Sequence, residues 1–304
     1  MDVSGTGKLP VQIMALDGTS LAGTLFLPSG APRAAALMNA GGGVAAYHYH
    51  HFAQYLASRG IATLTFDYRG IGASRPASLR GFLARVEDWC EFDTGGAIEW
   101  MGSRFPGVPL IGLTHSIGAM LLIGAPGAKE LTKIGMIVPH TGFWGDYRLA
   151  YRMPMAAVWH VLMPAVTKAF GYFPARKLGL GDDIPEGVAM QWAARWHPRF
   201  KPTGSASQVT RLNESIGRAR DLAIPALAVS ISDDGFATAA GARRVLQLAP
   251  RLSVHRWHIK PAELDRKRVG HFGFFRKSLG LTLWPEFVIR LVSTENASTP
   301  CGHD

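Results

Sequence analysis

Two stretches near the start of the chain alternate between apolar and polar residues with the period of two that a half-buried strand requires. They span residues 11–18 and 21–28, with Asp17 and Gly18 at the junction between them. Glycine readily adopts the backbone conformation of a tight turn, so the pattern predicts an antiparallel hairpin. We place this hairpin at the edge of a sheet.

Beyond residue 30, short apolar runs alternate with stretches of helical periodicity. The apolar runs cover residues 34–39, 61–67, 108–114, 133–139, 226–232 and 252–259. Helical candidates lie near residues 49–59, 84–103, 117–128, 236–248 and 284–292. Strands that alternate with helices predict an α/β fold with a mostly parallel sheet flanked by helices on both faces.

One long segment interrupts this alternation. Roughly 85 residues separate the run that ends near residue 138 from the run that starts near residue 225, far more than an ordinary connection needs. The segment is helical in pattern and aromatic, with Trp144, Trp159, Trp192 and Trp196. We interpret residues 141–224 as a helical cap inserted between two parts of one core, residues 1–140 and residues 225–304.

Composition excludes several classes of protein. Of 304 residues, 47% are hydrophobic and 18% are charged, which excludes an intrinsically disordered chain. The start of the chain lacks a secretory signal pattern, and the sequence contains no uninterrupted run of about 18 apolar residues. Two cysteines, Cys90 and Cys301, are too few for a disulfide framework. We therefore expect a reduced, cytoplasmic protein without a transmembrane segment.

The net charge of +10 is unevenly distributed. Residues 1–150 contain 11 basic and 10 acidic residues, whereas residues 151–304 contain 21 basic and 12 acidic ones. No nucleic-acid-binding motif accompanies this excess, so we expect no nucleic-acid partner. The positive charge is either a solvated surface or a field near the site that favours an anionic substrate or a lipid surface.

The sharpest chemical signal lies where an apolar run meets a helical stretch, in Gly112-Leu113-Thr114-His115-Ser116-Ile117-Gly118. A serine at such a junction occupies a tight turn that exposes its hydroxyl, and the residues two positions to either side must be small. Gly118 meets this requirement, whereas Thr114 is larger than the usual glycine. The pattern predicts Ser116 as a nucleophile; the alternative is an ordinary strand–turn–helix with a buried serine.

A serine nucleophile needs an imidazole base, and the base needs a carboxylate that fixes its tautomer. The run at 226–232 leads directly into Asp233 and Asp234. Either aspartate suits the role of the acid. We favour Asp234, which lies further into the turn, with Asp233 as a cap or brace of that turn. His271 follows the next run in a loop of glycines and phenylalanines and is the favoured base, with His140 as a weaker candidate.

Acyl transfer also needs hydrogen-bond donors for a developing oxyanion. Ile117, next to the serine, supplies one backbone N–H group. The second is expected from the glycine run after residue 39, where we choose Gly41, with Gly42 as the neighbouring alternative. Phosphate binding is a weaker explanation of this glycine run, because neither a dinucleotide fingerprint nor a P-loop accompanies it.

With these residues the chain resembles the α/β-hydrolase superfamily, in its serine-hydrolase branch, over about residues 10–292. Residues 52–60 look like the first helix of that superfamily, and residues 67–74 resemble its structural D-x-R-G-x-G-x-S element. The Gly-His-Phe-Gly-Phe-Phe-Arg segment at 270–276 is similar to a group of bacterial predicted hydrolases of undefined substrate. The resemblance implies Ser116 as nucleophile, Asp234 as acid and His271 as base.

Aromatic residues suggest where a substrate binds. Tyr49, or alternatively Tyr47, is a candidate for the substrate entrance. Trp144 and Trp192 are candidates for an apolar pocket, although cap aromatics commonly form only a core. His48 and His51 lack a nearby carboxylate companion, so we expect no metal site. We also expect no cofactor.

Three functions follow from these features. The first is hydrolysis of a carboxylic ester, with a small-molecule acyl substrate and an acyl-enzyme intermediate. The second is acyl transfer by the same triad, which differs only in whether water is excluded. The third is a non-catalytic binding protein of the same fold. A carboxylate nucleophile, as dehalogenases and epoxide hydrolases need, is excluded because position 116 is serine.

Overall fold

The computed structural model describes residues 6–195 and 205–293. Its strands, in chain order, are β1 (Gly7–Met14), β2 (Ser20–Leu27), β3 (Ala34–Asn39), β4 (Ile61–Phe66), β5 (Leu110–His115), β6 (Lys133–Ile137), β7 (Tyr172–Phe173), β8 (Ile184–Pro185), β9 (Pro225–Ile231) and β10 (Ser253–Ile259). Eight of them form one sheet in the order β1-β2-β4-β3-β5-β6-β9-β10. The short strands β7 and β8 pair separately.

The predicted edge hairpin is confirmed, because β1 is the edge strand and pairs antiparallel with β2. The strand β2 also pairs antiparallel with β4, and every further pair along this sheet is parallel. All residues of β3, β4, β5 and β6 are buried. Strands buried on both faces appear in a sequence as continuous apolar runs, which is why they were recognisable.

Ten α-helices occur among the described residues. They are α1 (His50–Ser58), α2 (Val86–Asp88), α3 (Gly95–Arg104), α4 (Gly118–Gly124), α5 (Leu149–Ala157), α6 (Met163–Phe170), α7 (Glu186–Ala193), α8 (Ala206–Asp221), α9 (Ala239–Leu248) and α10 (Lys277–Ser293). A π-helical segment, Trp89–Thr94, joins α2 to α3, and a second one, Val158–Leu162, joins α5 to α6.

The last helix differs from its prediction. It begins at Lys277, earlier than residue 284, and continues through Pro285. Leu279, Leu283, Phe287 and Leu291 recur every fourth residue and are all buried. Burial of this apolar stripe offsets the cost of a proline inside the helix.

The segment between β6 and β9 contains α5, α6, α7 and α8 and contributes no strand to the main sheet among its described residues. The helix α8 is anchored to α4, where the Arg218 guanidinium donates to the carbonyl of Gly124 at 2.7 Å. Trp196 lies outside the described residues. Within the described ranges, no helix combines the length and the apolar character that crossing a membrane would require.

Candidate active site

The parallel strands bring the candidate residues to one edge of the sheet. The glycine run follows β3, Ser116 follows β5, His140 follows β6, Asp234 follows β9 and His271 comes after β10. These five strands are consecutive neighbours in the order β3-β5-β6-β9-β10. Because the carboxyl ends of parallel strands lie along the same edge, residues far apart in sequence become neighbours there.

Ser116 stands in a strained turn between β5 and α4. Its φ of 59° lies in the left-handed region, which a non-glycine residue rarely adopts. The backbone N–H of Ser116 donates to the carbonyl of Ile137 at 3.0 Å, which fixes the turn against β6. A Cβ atom on Gly118 would lie 2.6 Å from the carbonyl oxygens of Asn39 and Ala40, so only glycine fits there. This is the geometry that the sequence predicted for a nucleophile.

Thr114, the departure from the usual glycine, fits within the sheet. It lies on β5 between Asn39 of β3 and Met136 of β6 and is fully buried. Its hydroxyl has no hydrogen-bond partner among the described residues. A buried hydroxyl without a partner destabilises the folded state, because water has been removed from it and not replaced.

We expect Thr114→Val to raise the free energy of unfolding by about 1 kcal/mol, because it removes the unpartnered hydroxyl and keeps the shape of the side chain. Chemical denaturation of both proteins measures the difference. Thr63→Val is the matched control, since Thr63 is also buried but donates to the carbonyl of Ile61 at 3.1 Å. A Thr114→Val protein less stable than the wild type would contradict this account of the hydroxyl.

Asp234 and His271 form a hydrogen-bonded pair. His271 Nδ1 lies 2.7 Å from Asp234 Oδ2, and the other carboxylate oxygen accepts from the N–H groups of Phe236 and Ala237 at 2.8 and 3.0 Å. Burial by itself would raise the pKa of Asp234, but the hydrogen bond and charge of His271, with these N–H groups, lower it overall. The carboxylate is therefore ionised and holds the proton of the neutral His271 ring on Nδ1, which leaves Nε2 unprotonated.

Asp233 has a different set of contacts. Its two carboxylate oxygens accept from the backbone N–H groups of Val269 and Gly270 at 3.0 and 2.9 Å. Asp233 thus holds the start of the loop that carries His271, whereas Asp234 contacts the imidazole itself. This division matches the sequence-based preference for Asp234 as the acid and Asp233 as a brace.

The hydroxyl of Ser116 contacts a different histidine from the one expected. Ser116 Oγ lies 2.8 Å from His140 Nε2, and the hydrogen bonds of the described residues include none between Ser116 and His271. The ring of His271 lies beside that of His140, with 5.4 Å between their centroids. His140 was the weaker candidate for the base in the sequence, yet the structure places it in direct contact with Ser116.

Tyr49 is buried in a chain of hydrogen bonds and does not line a substrate entrance. Its hydroxyl accepts from the N–H of Gly41 at 2.9 Å and lies 2.9 Å from His115 Nδ1. His115 Nε2 lies 3.2 Å from the carbonyl of His271. Burial raises the pKa of Tyr49 and lowers that of His115, so both side chains are neutral. This series of hydrogen bonds links the glycine run after β3, the end of β5 and the loop that contains His271.

This arrangement corrects the choice of Gly41 as an oxyanion donor, since its N–H is already bonded to Tyr49. No hydrogen bond of the described residues uses the N–H of Gly42 or of Ile117. The two residues also face each other: a Cβ on Gly42 would lie 2.9 Å from Ile117 Cδ1 and 2.2 Å from Trp192 Cη2. Gly42, the neighbouring alternative in the sequence, is therefore the glycine with an available donor.

A cavity of about 220 Å³ opens beside Ile117. Its apolar wall includes Ile117, Met120, Leu121, Ile123, Trp192, Leu212, Ile216, Ala219 and Leu248. Trp192 thus lies at the cavity as predicted, stacked on Trp159 with 5.9 Å between ring centroids. Trp144 is not part of this wall; its ring packs edge-on against His160.

The charged residues at the cavity are engaged with other groups. Glu87 accepts from Gln191 Nε2 at 2.7 Å through both oxygens, and Glu91 pairs with Arg218. Arg195 and Arg211 add positive charge to the wall, and the Arg195 guanidinium donates to the carbonyl of Thr141. Among the described residues, no group of three or more His, Cys, Asp or Glu side chains could hold a metal ion.

The element at 67–74 has structural contacts. Asp67 accepts from the N–H groups of Ala46 and Ala73 at 2.7 and 2.9 Å, and Arg69 forms ion pairs with Asp17 and Asp93 at 2.6 Å. These contacts tie the loop after β4 to the 3-10 turn before α1, to the turn between β1 and β2 and to the π-helical segment. They agree with the structural role that the resemblance implies.

The chain is similar to known hydrolases both in sequence and in fold. A model of the family described as serine aminopeptidase, S33 (Hydrolase_4) matches residues 30–255. The structure is similar to an esterase of Pyrococcus furiosus (TM-score 0.60, 15% identity, covering 95% of this chain and 93% of that one). It is also similar to a thermostable carboxyl esterase of Bacillus coagulans (0.55, 13%, 95% and 99%) and to an α/β hydrolase of Penicillium (0.57, 15%, 94% and 99%). A search of curated proteins gave no match.

Proposed function

Because the chain belongs to the serine aminopeptidase S33 family of α/β hydrolases, we propose that it is a serine hydrolase that cleaves a carboxylic ester through an acyl-enzyme on Ser116. The observation that carries this proposal is the Asp234–His271 pair, with its 2.7 Å hydrogen bond, at the same edge of the sheet as a serine held at a φ of 59°. Similarity in fold to two esterases supports an ester as the substrate.

In the proposed reaction, Ser116 Oγ attacks the carbonyl carbon while its proton passes to His271 Nε2. Asp234 keeps the proton on Nδ1 of the same ring and stabilises the imidazolium that forms. The step requires His271 Nε2 to approach Ser116 Oγ when substrate binds. Catalytic hydrogen bonds commonly tighten only in the complex with substrate. The lack of a hydrogen bond between His271 and Ser116 among the described residues of the free protein is therefore compatible with this role.

The negative charge that develops on the carbonyl oxygen needs two donors, which we assign to the N–H groups of Gly42 and Ile117. Both are unused by the described residues; Ile117 lines the cavity with Trp192, and Gly42 lies against these two side chains. An oxygen held between them would lie next to the carbon that Ser116 attacks. A collapsing intermediate then releases the alcohol, which takes its proton from His271, and leaves the acyl group on Ser116.

The cavity beside Ile117 is the proposed site of the apolar part of the acyl group. Helices α7 and α8 supply Trp192, Leu212, Ile216 and Ala219 to its wall, so the segment between β6 and β9 acts as a cap in this proposal. An aminopeptidase binds the charged amino terminus of a peptide, and that group would need a free carboxylate at the cavity. Glu87 and Glu91 are instead engaged with Gln191 and Arg218, which favours an ester over a peptide.

The direct test is a panel of p-nitrophenyl esters of rising acyl length, run with and without an acceptor alcohol, beside an aminoacyl p-nitroanilide. An ester with a terminal carboxylate on its acyl chain tests whether Arg195 and Arg211 favour anionic substrates. The proposal predicts turnover of apolar esters and none of the anilide. Faster product release with the alcohol, accompanied by a new ester, would assign acyl transfer. A folded protein that cleaves nothing would be a binding protein.

Filling the cavity should change the preferred acyl length. Ala219 is buried at the cavity wall, so we expect Ala219→Phe to lower kcat/KM for long-chain esters by about tenfold or more, equivalent to losing about 1.4 kcal/mol of binding in the transition state. Acetyl ester turnover should change little. Ala206→Phe, at an exposed position of the same helix, is the control. Equal losses for short and long esters in the Ala219 variant would place the acyl chain elsewhere.

A further inference from the structure

His140 contacts the proposed nucleophile but has no part in the reaction described above. Its side chain is 6% exposed and makes two hydrogen bonds. One joins Nε2 to Ser116 Oγ, and the other joins Nδ1 to the backbone N–H of Gly142, both at 2.8 Å. A buried imidazole in contact with the attacking oxygen either donates or accepts a hydrogen bond there. Which of the two it does depends on which ring nitrogen carries the proton.

The contacts of the ring determine which nitrogen carries that proton. The N–H of Gly142 can only donate, so Nδ1 must accept and therefore bears no proton. Burial, together with the charge of the neighbouring His271, lowers the pKa of His140 to about 3, so the ring is neutral. A neutral ring with an unprotonated Nδ1 has its proton on Nε2, and Nε2–H therefore donates to Ser116 Oγ. In this arrangement His140 cannot be the base that deprotonates Ser116.

The loop that carries His140 is held firmly in position. Three described non-glycine residues have a positive φ, and two of them, Ser116 and Val138, lie at this contact. A left-handed conformation is costly for a β-branched residue such as Val138 and persists only where surrounding contacts impose it. The backbone N–H of His140 also donates to the carbonyl of Ser116 at 3.4 Å. Gly142, with a φ of 73°, turns its N–H back onto the ring.

We propose that His140 is a catalytic hydrogen-bond donor to Ser116 Oγ that favours breakdown of the acyl-enzyme over its formation. The inference rests on the proposed function, since it requires an acyl group on Ser116. A serine hydroxyl accepts a hydrogen bond well, so the Nε2–H bond already stabilises the free enzyme and gives attack by Oγ little net help. The ester oxygen of an acyl-serine accepts poorly, because its lone pair is delocalised into the carbonyl.

During deacylation the hydrogen bond from His140 to Oγ grows stronger as the reaction proceeds. Water, having lost a proton to His271 Nε2, adds to the acyl carbon; the bond from that carbon to Oγ then breaks, and its electron pair stays on Oγ. Oγ takes its proton back from His271, while His140 Nε2–H donates a hydrogen bond throughout and transfers nothing. Because negative charge grows on Oγ as the bond breaks, the donor stabilises this transition state more than the acyl-enzyme.

The two rate constants are separable by rapid mixing with p-nitrophenyl butyrate, where the burst reports acylation and the steady state reports deacylation. His140→Phe removes the donor, as does His140→Leu, and either serves if the other folds poorly. His140→Gln is the matched control, because its side-chain Nε2–H lies as many bonds from Cβ as that of histidine. Titration with a fluorophosphonate counts folded active sites in every variant.

We expect deacylation by His140→Phe to be about tenfold slower, with acylation unchanged or faster, and His140→Gln to restore deacylation to within about threefold of the wild type. A common fall of both rate constants in the apolar variants would overturn the donor role, as would equal behaviour of the glutamine and apolar variants. A wild type that forms no butyryl adduct would overturn the proposed function itself. An adduct that decays equally fast in the wild type and His140→Phe would overturn only the role of His140.

Discussion

Replacing Ser116 by alanine is expected to lower ester hydrolysis by at least about 10⁴-fold, because no other atom at the site replaces the nucleophile. The alanine variant should remain folded and unfold only a few degrees lower, since the hydrogen bond it loses among the described residues is the one with His140. Fluorophosphonate labelling should be lost with the activity. Steady-state rates at saturating ester, together with a thermal melt, measure both effects.

Ser232 provides the control for this substitution. It lies at the end of β9 on the same edge of the sheet, but its side chain is exposed. Ser232→Ala should retain wild-type activity and labelling. Ester hydrolysis by Ser116→Ala within tenfold of the wild type would mean that another group is the nucleophile.

The second large effect is a difference in kcat between variants of two adjacent aspartates. We expect Asp234→Asn to lower kcat by about 10⁴-fold, because an amide opposite His271 Nδ1 no longer holds the proton on that nitrogen. Asp233→Asn should lower kcat by at most about 100-fold, since the hydrogen bonds of its side chain within the described ranges go to the backbone N–H groups of Val269 and Gly270, so that it acts by positioning the loop. Kinetics of the two variants, measured side by side, provide the comparison.

This pair is informative because the substitutions are identical in chemistry and adjacent in sequence. The asparagine at 233 can still accept one of its two backbone hydrogen bonds, so a modest loss of stability is expected there. A larger catalytic defect at 233 than at 234, or equal defects at both, would contradict the assignment of Asp234 as the acid.

Much of the fold was predictable because its signals are local. The strands from β3 to β6 are buried on both faces, so each appears as a mostly apolar run, and the edge hairpin alternates because one face is open. The turn at Ser116 was predictable from Gly118, which must pack against the carbonyls of Asn39 and Ala40. The order of the acid and the base along the chain followed from the resemblance and the strand pattern.

The contacts around Ser116 were not predictable, since they depend on tertiary placement. Gly41 and Gly42 are indistinguishable in the sequence; what separates them is the hydroxyl of Tyr49, which comes from the start of the next helix and occupies only the N–H of Gly41. His140 reaches Ser116 because β6 is the neighbour of β5 and because Val138 adopts a strained conformation. Its position directly after a predicted strand was the one available signal.

His115 was overlooked for a related reason. It directly precedes Ser116 at the end of an apolar run, so its sequence context suggested only a strand residue. In the structure it is fully buried. In the structure its ring lies 4.8 Å from that of His271, centroid to centroid, and connects Tyr49 to the base loop. Such a connection between three separate segments has no periodic or local signature in a sequence.

The central claim, that Ser116 becomes acylated by an ester substrate, is tested most directly by trapping the intermediate. Wild-type protein mixed with p-nitrophenyl butyrate and quenched in acid within the burst should gain the mass of one butyryl group. Peptide mapping should place that group on Ser116, and His271→Ala should form it far more slowly. A butyryl group on any other residue, or ester cleavage with no trapped adduct even in the slowly deacylating His140→Phe variant, would contradict the account.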